Sequence, residues 1–348
     1  MTVNKRNKWI TSLGASLLAI SLVAGMGVNL PNANASNRSS LRRDNSSNRH
    51  CEWDPAHYWV QQCEVWSDSM HRKIRVQVQP SKNGGKHALF LLDGMRARED
   101  WNGWSHDGHA PSVFVDSDIT LVMPVGGETS FYSDWKRKSS TNNQKYTYKW
   151  ETFLTKELPG YLNRRFGVAY TGNGVGGLSM SGSAAYTLAL YHRPYFTQAL
   201  SFSGYMNVSD PVMQRLLQYA AKDAGNYNLE DMWGPYSDPA WVRNDPYVNA
   251  EKLRGLHLFM SSSTGIPGRY DDPKTKQEAI NTTVGFMLEG LARQQHIKMK
   301  KRLEELGIPC RHVFMANGIH NWGYWHDQLV TAYPLSLIHI SEPTRPER

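Results

Sequence analysis

The stretch Gly177-Leu178-Ser179-Met180-Ser181-Gly182 lies between a glycine-rich approach and an alanine-rich segment that ends at Arg193-Pro194. This order predicts a strand, a sharp turn and a helix, with Ser179 at the turn. Such a turn needs small residues two positions before and after its serine, because the strand and the helix approach closely there. Gly177 and Ser181 are both small, although glycine is the commoner residue at the second position.

The alternative interpretation is a glycine-rich turn in which Ser179 or Ser181 only caps a helix. The surrounding chain favours a serine held at the edge of a sheet, because short apolar runs alternate with helical patterns. The apolar runs are Lys73–Val78, Ala88–Leu92, Ile119–Val125, Ala199–Ser203, Leu256–Met260 and His312–Met315, and the helical patterns are Thr152–Phe166, Gly182–His192, Val212–Ala221 and Ala279–Leu306. This alternation predicts a mostly parallel sheet covered by helices on both faces, the α/β-hydrolase fold, over residues 65–334.

Both ends of the chain differ from this middle part. Three basic residues precede the apolar run 9–28, and the small-residue triplet 33–35 follows it, which is the pattern of a secretory signal peptide. Residues 1–35 are therefore predicted to be removed on export, and residues 36–64 to form a polar spacer and a cysteine-containing extension. Residues 335–348, LSLIHISEPTRPER, abandon the preceding pattern and resemble translated sequencing-adapter sequence, so we expect a non-native tail.

The charge is concentrated near the N-terminus. The formal net charge is +8, but residues 1–35 carry three bases and no acid, and residues 36–50 carry four arginines against one aspartate. About +2 therefore remains on the rest of the chain, which argues against a nucleic-acid partner. After residue 35 no apolar stretch is long enough to span a bilayer, so we expect a secreted protein without a transmembrane anchor.

The chain has three cysteines, Cys51, Cys63 and Cys310. In an exported protein, Cys51 and Cys63 lie close enough in sequence to predict a disulfide. Cys310 stands near an apolar stretch with no turn signature beside it, so we interpret it as a small buried hydrophobic residue and not as a nucleophile. We see no cluster with metal-ligand spacing and expect no cofactor.

A serine hydroxyl becomes a strong nucleophile when a histidine takes its proton, and a carboxylate must hold that histidine. In α/β-hydrolases the chain order is serine, acid, histidine. His320 is the best-placed base, because it follows the last strand-like run in the turn Asn317-Gly318-Ile319-His320. For the acid, a loop position favours Asp271 or Asp272, whereas Glu289 falls inside a helical pattern where a surface charge is expected.

Eight further motifs along the chain point to one protein family. They are LLDGMRA at 91–97, MPVGG at 123–127, FYSDW at 131–135, YKWETFL at 148–154, DMWGP at 231–235, DPAW at 238–241, RNDP at 243–246 and NGIHNW at 317–322. With the serine turn, they resemble the antigen 85 type of mycolyltransferase of mycolate-bearing actinobacteria, over about residues 65–330. The resemblance implies Ser179 as nucleophile, His320 as base and Glu289, in the motif FMLE, as the acid in place of Asp271 or Asp272.

The resemblance also implies the groups that surround the reacting ester. The backbone N–H groups of Met95 and Met180 would form the oxyanion hole, which agrees with one donor just after the nucleophile and one from an earlier loop. Asp93 and Arg96 fall where the family binds trehalose, and Trp322 is expected to border that pocket. A carboxylate and a guanidinium suit sugar hydroxyls, and an indole suits the apolar face of a sugar ring.

The activity that the resemblance implies is a transfer in two steps, without a cofactor, in the cell envelope. A mycolyl group would pass from trehalose monomycolate to Ser179 and then to a sugar hydroxyl of trehalose monomycolate or arabinogalactan. A secreted carboxylesterase, or a non-catalytic envelope protein that binds glycolipid or matrix protein, are the alternatives. Three departures from the family bear on acceptor choice: Asn321 replaces a serine, Lys136–Lys145 lacks a cysteine pair, and the Cys51–Cys63 extension is extra.

Overall fold

The computed structural model of the protein describes residues 51–55, 58–337 and 340. The predicted signal peptide, residues 36–50 of the spacer and most of the C-terminal tail lie outside these described residues. Among the helices that are described, none combines the length and the apolar character needed to cross a membrane.

Within the described residues, nine strands form one sheet. They are β1 (Cys51–Trp53), β2 (Gln61–Ser67), β3 (Arg72–Gln79), β4 (His87–Leu92), β5 (Ile119–Pro124), β6 (Asn173–Leu178), β7 (Phe196–Phe202), β8 (His257–Ser262) and β9 (Arg311–Phe314). Their order is β1-β2-β3-β5-β4-β6-β7-β8-β9. The pairs from β5 to β9 are parallel and the pairs that involve β1, β2 and β3 are antiparallel, so the sheet is mostly parallel as predicted.

Helices cover both faces of this sheet. They are α1 (Gly103–His106), α2 (Ala110–Phe114), α3 (Trp150–Thr152), α4 (Leu158–Phe166), α5 (Met180–Tyr191), α6 (Pro211–Gly225), α7 (Glu230–Trp233), α8 (Pro239–Arg243), α9 (Lys276–Glu305) and α10 (Trp322–Ser336), with a π-helical turn at Phe153–Glu157 and a 3-10 turn at Ala250–Leu253. Alternate residues of β4 enter two separate buried clusters: Phe90 and Leu92 join one, and Leu89 and Leu91 join the other. A strand that is buried on both faces reads as a continuous apolar run, which is why β4 is visible in the sequence.

The N-terminal extension is part of the sheet. The boundary expected at residue 65 falls inside β2, whose Cys63 and Val65 are buried, and β2 pairs along its whole length with β3. The predicted disulfide between Cys51 and Cys63 is present and joins β1 to β2. These two strands were missed because β1 has no buried residue and because buried and more exposed residues alternate in β2, so that the segment resembles a spacer.

The other end of the domain also differs from the expected boundary. Helix α10 continues past residue 334 to Ser336, and the carbonyl of Leu335 accepts a hydrogen bond from Gln198 Nε2 at 3.4 Å. The non-native origin of residues 335–348 remains a prediction.

The third cysteine is a free thiol. Cys310 is half-buried beside the Tyr186 hydroxyl, with 3.7 Å between sulfur and oxygen. Burial raises the pKa of its thiol to about 12. Because the thiolate is the reactive form, this environment suits a packing residue and not a nucleophile.

Candidate active site

Ser179 lies in the turn between β6 and α5, at the carboxyl edge of the parallel strands. Its backbone has φ 55° and ψ −119°, a conformation that costs a non-glycine residue roughly 1–3 kcal/mol. The turn is held from both sides: the Ser179 N–H donates to the carbonyl of Phe202 at 2.9 Å, and the Gly182 N–H donates to the carbonyl of Ser179 at 3.1 Å. The predicted strand, sharp turn and helix are therefore all present.

The structure explains why serine serves at the second small position. A Cβ atom on Gly177 would lie 2.3 Å from the carbonyl oxygen of Ser181, so only glycine fits before the turn. The Ser181 hydroxyl donates to the carbonyl of Leu92 at 2.8 Å and accepts from the Leu178 N–H at 2.9 Å. Ser181 thus ties the turn to β4, a contact that glycine could not make.

His320 and Glu289 form a buried pair. The distance between His320 Nδ1 and Glu289 Oε2 is 2.9 Å, and the exposed fractions of the two side chains are 7% and 0%. His320 lies in the predicted turn, where its backbone N–H donates to the carbonyl of Gly285 at 3.1 Å. Its ring also meets the ring of Trp325 edge to face at 4.8 Å. A histidine held in this way has one fixed orientation and directs Nε2 away from the carboxylate.

The second oxygen of Glu289 is also saturated. Oε1 accepts from the Ser203 hydroxyl at 2.9 Å and from the Ser263 N–H at 2.6 Å. Ser203 and Ser263 directly follow β7 and β8, so the carboxyl ends of two neighbouring strands hold the carboxylate. The sequence reasoning missed both serines, although polar residues just after buried strands are a signal that could have found them.

The two aspartates favoured from loop position have other partners. Asp271 accepts a hydrogen bond from the Tyr324 hydroxyl and one from the Gly268 N–H, the latter at 2.9 Å. Asp272 is exposed and forms an ion pair with Lys274. In the part of the chain that the structure describes, neither carboxylate is bonded to His320, and Glu289 occupies that place. Glu289 points inward because it belongs to the buried side of helix α9, together with Gly285, Ala292 and His296.

In the described part of the chain, no hydrogen bond joins the Ser179 hydroxyl to His320, whose Nδ1 is bonded to Glu289. His320 Nε2 is buried and has no hydrogen-bond partner among the described residues. This ring nitrogen is therefore free to accept a proton.

The fold brings the two expected oxyanion donors to one edge. Leu92 of β4 and Gly177 of β6 are paired in adjacent parallel strands, so the turns that carry Met95 and Met180 begin side by side. Met180 is the first residue of α5, where backbone N–H groups are free of intrahelical partners and the helix dipole favours negative charge.

Asp93 and Trp322 meet at Gly103. The two carboxylate oxygens of Asp93 accept from the N–H groups of Gly94 and Gly103, each at 2.7 Å, and Asp93 is only 5% exposed. A Cβ atom on Gly103 would lie 2.2 Å from the Trp322 ring, which shows how closely the indole covers this loop. Asp93 therefore fixes the loop that leads to Met95, and Trp322 forms the adjoining wall.

Arg96 has a different environment from Asp93. Its side chain is 63% exposed and forms an ion pair with Asp223, near the end of α6. An exposed ion pair contributes at most about 1 kcal/mol, so little energy is needed to free the guanidinium for a ligand.

Residues 67–335 match the esterase family. The chain is 39% identical to the diacylglycerol acyltransferase/mycolyltransferase Ag85C of Mycobacterium avium, over 93% of this chain and 85% of that protein. It is 43% identical to the diacylglycerol acyltransferase/mycolyltransferase Ag85B of Mycolicibacterium smegmatis, over 79% of this chain and 83% of that protein. The chain belongs to the antigen 85 family.

Solved structures agree with the fold of an antigen 85 protein. The structure of MPT51 from Mycobacterium tuberculosis is similar with a TM-score of 0.68 at 27% identity, over 81% of this chain and 98% of that chain. An S-formylglutathione hydrolase from Agrobacterium tumefaciens is similar with a TM-score of 0.60 at 14% identity, over 84% of this chain and 99% of that chain. The α/β-hydrolase fold predicted from the sequence is confirmed.

One departure from the antigen 85 pattern has a visible structural role. Asn321 caps α10, because its side-chain oxygen accepts from the Gly323 N–H at 3.3 Å. Its amide nitrogen donates to Asp271 Oδ1 at 3.4 Å. A serine could make the cap but could not also reach the aspartate, so asparagine links the histidine turn to the loop that contains Asp271.

The buried Asp93 gives a prediction about stability and pH. Burial raises its pKa from 3.8 to about 6, although hydrogen bonds from Gly103 and Gly94 lower it. The folded protein therefore binds this proton more tightly than the unfolded chain, and the contribution to stability falls as pH rises from about 4 to about 6. In Asp93→Asn this contribution is absent. We expect the difference in unfolding free energy between the two proteins to change by about 3 kcal/mol across that window.

Urea unfolding of both proteins at pH 4, 5, 6 and 7 measures this difference. The asparagine amide would face a backbone N–H, so the variant is expected to be less stable at every pH. The diagnostic quantity is therefore the slope of the stability difference against pH. Parallel stability curves would contradict the raised pKa of Asp93.

Proposed function

We propose that this chain is an exported serine acyltransferase that moves a mycolyl group from trehalose monomycolate to a second sugar hydroxyl in the cell envelope. The observation that carries the proposal is the buried His320–Glu289 pair, with 2.9 Å between Nδ1 and Oε2, beside the strained Ser179 turn. Relatives named mycolyltransferases, at 39–43% identity over most of the chain, support a mycolyl group as the acyl group that is transferred.

In the first half of the reaction, Ser179 Oγ attacks the ester carbonyl of the donor. Its proton passes to His320 Nε2, and Glu289 stabilises the imidazolium through Nδ1. The N–H groups of Met95 and Met180 would hold the negative charge on the carbonyl oxygen. When the bond to trehalose breaks, His320 returns the proton to the leaving sugar oxygen, and the acyl group remains on Ser179.

In the second half of the reaction, a sugar hydroxyl of the acceptor attacks the acyl-enzyme. His320 takes the proton of that hydroxyl and then gives it to Ser179 Oγ as the new ester forms. The accepting sugar belongs to trehalose monomycolate or to arabinogalactan. Exclusion of water from the acyl-enzyme separates this transfer from hydrolysis, and no cofactor takes part.

The sugar would bind next to the oxyanion hole. Asp93 and Trp322 both lie against Gly103, and Arg96 follows Met95 in the same loop. In this proposal Trp322 covers a sugar ring, while Arg96 exchanges Asp223 for sugar hydroxyls. Asp93 acts mainly by fixing the loop, because backbone N–H groups already occupy both of its oxygens.

Arg96→Ala should impair sugar recognition more than ester chemistry. The substitution removes a group with several donors that orients the sugar, whereas a simple ester needs only the triad and the oxyanion hole. We expect trehalose-dependent transfer to fall about 10- to 100-fold, and hydrolysis of a short chromogenic ester to fall less than about 3-fold. Asp223→Ala is the matched control, because it breaks the same ion pair and keeps the guanidinium. Equal losses on both substrates in Arg96→Ala would remove this residue from the sugar site.

Incubation of the purified mature domain with trehalose monomycolate tests the proposed function. Thin-layer chromatography of the glycolipids is expected to reveal trehalose dimycolate. Free mycolic acid as the main product would instead indicate a carboxylesterase, and an unchanged donor would indicate a binding protein.

The proposal includes export to the cell envelope. The signal-peptide pattern of residues 1–35 supports it, as does the disulfide between Cys51 and Cys63, since such bonds persist in oxidising compartments. The catalytic domain would comprise residues 65–334 together with the two N-terminal strands that pair with it.

A further inference from the structure

Trp325 is connected to both members of the buried His320–Glu289 pair. Its indole N–H donates to the Ser203 hydroxyl oxygen at 3.1 Å, and that hydroxyl donates to Glu289 Oε1 at 2.9 Å. Its ring meets the His320 ring edge to face, with 4.8 Å between the centroids and an angle of 90°. Trp325 is 5% exposed and Ser203 is fully buried, so these contacts are shielded from bulk solvent.

The direction of this chain of hydrogen bonds follows from the groups that form it. An indole N–H can only donate, so the Ser203 oxygen accepts from Trp325. A serine hydroxyl has one proton, and an ionised carboxylate can only accept. The Ser203 proton is therefore directed to Glu289 Oε1, where the Ser263 N–H also donates, at 2.6 Å. The two donors on Oε1 and the His320 ring on Oε2 together hold the carboxylate in one orientation.

The backbone of Ser203 is strained. Its φ is 52°, in the left-handed region that disfavours residues other than glycine, and its N–H donates to the carbonyl of Ser261 at 2.8 Å. Ser179 has the same arrangement one strand away, with φ 55° and its N–H on the carbonyl of Phe202. A strained residue persists where its surroundings fix it. The contacts with Trp325 and Glu289 fix the side chain of Ser203.

Helix α10 places Trp325 at this point. The helix begins at Trp322, two residues after His320, and Asn321 caps it. Trp322 and Trp325 are three residues apart and therefore lie on one side of the helix, where their rings meet edge to face at 5.2 Å. One turn of helix thus supplies both the wall of the proposed sugar site and a support for the His320–Glu289 pair.

We propose that Trp325 is a positioning residue for acyl transfer, which acts through the Ser203 hydroxyl to hold Glu289 on His320. The inference rests on the proposed acyl chemistry of Ser179. In both halves of that reaction His320 becomes an imidazolium, which Glu289 stabilises only while it stays at Nδ1. Without the indole N–H, the Ser203 hydroxyl can turn away, and Oε1 then loses one of its two donors. Trp325 itself gives up no proton.

Trp325→Phe removes the indole N–H and keeps an aromatic ring against His320. Acylation and deacylation both use the His320–Glu289 pair, so the two steps should slow together. With a short 4-nitrophenyl ester, which needs no sugar wall, we expect kcat to fall about 5- to 30-fold and KM to change less than about 2-fold. If this variant does not fold, benzothienylalanine at position 325 takes its place, because it keeps the shape of the indole and has sulfur instead of the N–H.

Ser203→Ala tests whether Trp325 acts through the Ser203 hydroxyl. Each single substitution breaks the same chain of hydrogen bonds. In a Ser203→Ala background, Trp325→Phe should therefore lower kcat by less than about 2-fold more. Independent structural effects of the two substitutions would multiply instead.

Trp233→Phe is the matched control, because the buried indole of Trp233 also donates to a serine hydroxyl, that of Ser133, at 3.0 Å. It is expected to lower the unfolding temperature and to leave kcat within about 2-fold. Multiplying losses in the double variant, an unchanged kcat in the position-325 variant, or an equal loss in the control would overturn the inference. Failure of the unaltered protein to acylate Ser179 would instead contradict the proposed function, and the inference with it.

Discussion

Ser179→Ala should lower acyl transfer by up to about 10⁶-fold, because the hydroxyl that carries the acyl group is missing. The fold should remain intact, since the hydrogen bonds that hold the turn use the backbone of Ser179 and not its side chain. Radiolabelled or mass-tagged trehalose monomycolate, followed over time, measures the loss. Circular dichroism and thermal unfolding check the fold.

Ser181→Ala is the matched control two residues along the chain. Its hydroxyl ties the turn to Leu92 and Leu178, so the free energy of unfolding of the variant should be lower by about 1–3 kcal/mol. The variant should keep most of its activity. A Ser181 variant without activity, beside an active Ser179 variant, would mean that the turn presents the other serine.

Glu289→Gln should cost about 10⁴-fold in kcat, the second largest effect expected in the chain. An uncharged amide cannot stabilise the imidazolium, and its NH₂ group would oppose the Ser263 N–H that now donates to the carboxylate. Steady-state kinetics with a chromogenic ester at several pH values measures the loss.

Asp271→Asn is the comparison for that prediction, because loop position alone favoured this carboxylate as the acid. It accepts from Tyr324 and Gly268, so its loss should loosen the loop and lower kcat less than about 10-fold. A larger loss in Asp271→Asn than in Glu289→Gln would assign the acid to the loop.

The features that could be predicted from the sequence are those that depend on residues close to one another in the chain. The turn at Ser179 could be predicted from its neighbours, because it restricts which residues fit within a few positions of the serine. His320 follows from its place in a turn after the last strand. The apolar strands are visible because both of their faces are buried.

The features that could not be predicted depend on contacts far apart in sequence. Nothing around Glu289 distinguishes it from a surface charge on a long helix, and only the packing of α9 brings it to His320. Residue reasoning therefore favoured Asp271 or Asp272, and the resemblance to a family was needed to select Glu289. Helix α9 itself begins at Lys276 and not Ala279, because Thr275 and Glu278 form a capping box that was overlooked.

Strand β2, in contrast, does have a local pattern, an alternation of buried and more exposed residues, which was not recognised in the sequence. In the sequence, the cysteines and the polar residues around them favoured the interpretation of this segment as a spacer and not as a strand.

In the proposed reaction, Ser179 carries the mycolyl group between two sugars. The most direct measurement is mass spectrometry of the peptide that contains Ser179 after brief mixing of the enzyme with trehalose monomycolate, followed by a chase with free trehalose. We predict a mycolyl adduct on Ser179 that disappears during the chase as trehalose monomycolate reappears. An adduct on another residue, or one that is lost to water at the same rate with and without trehalose, would contradict the account.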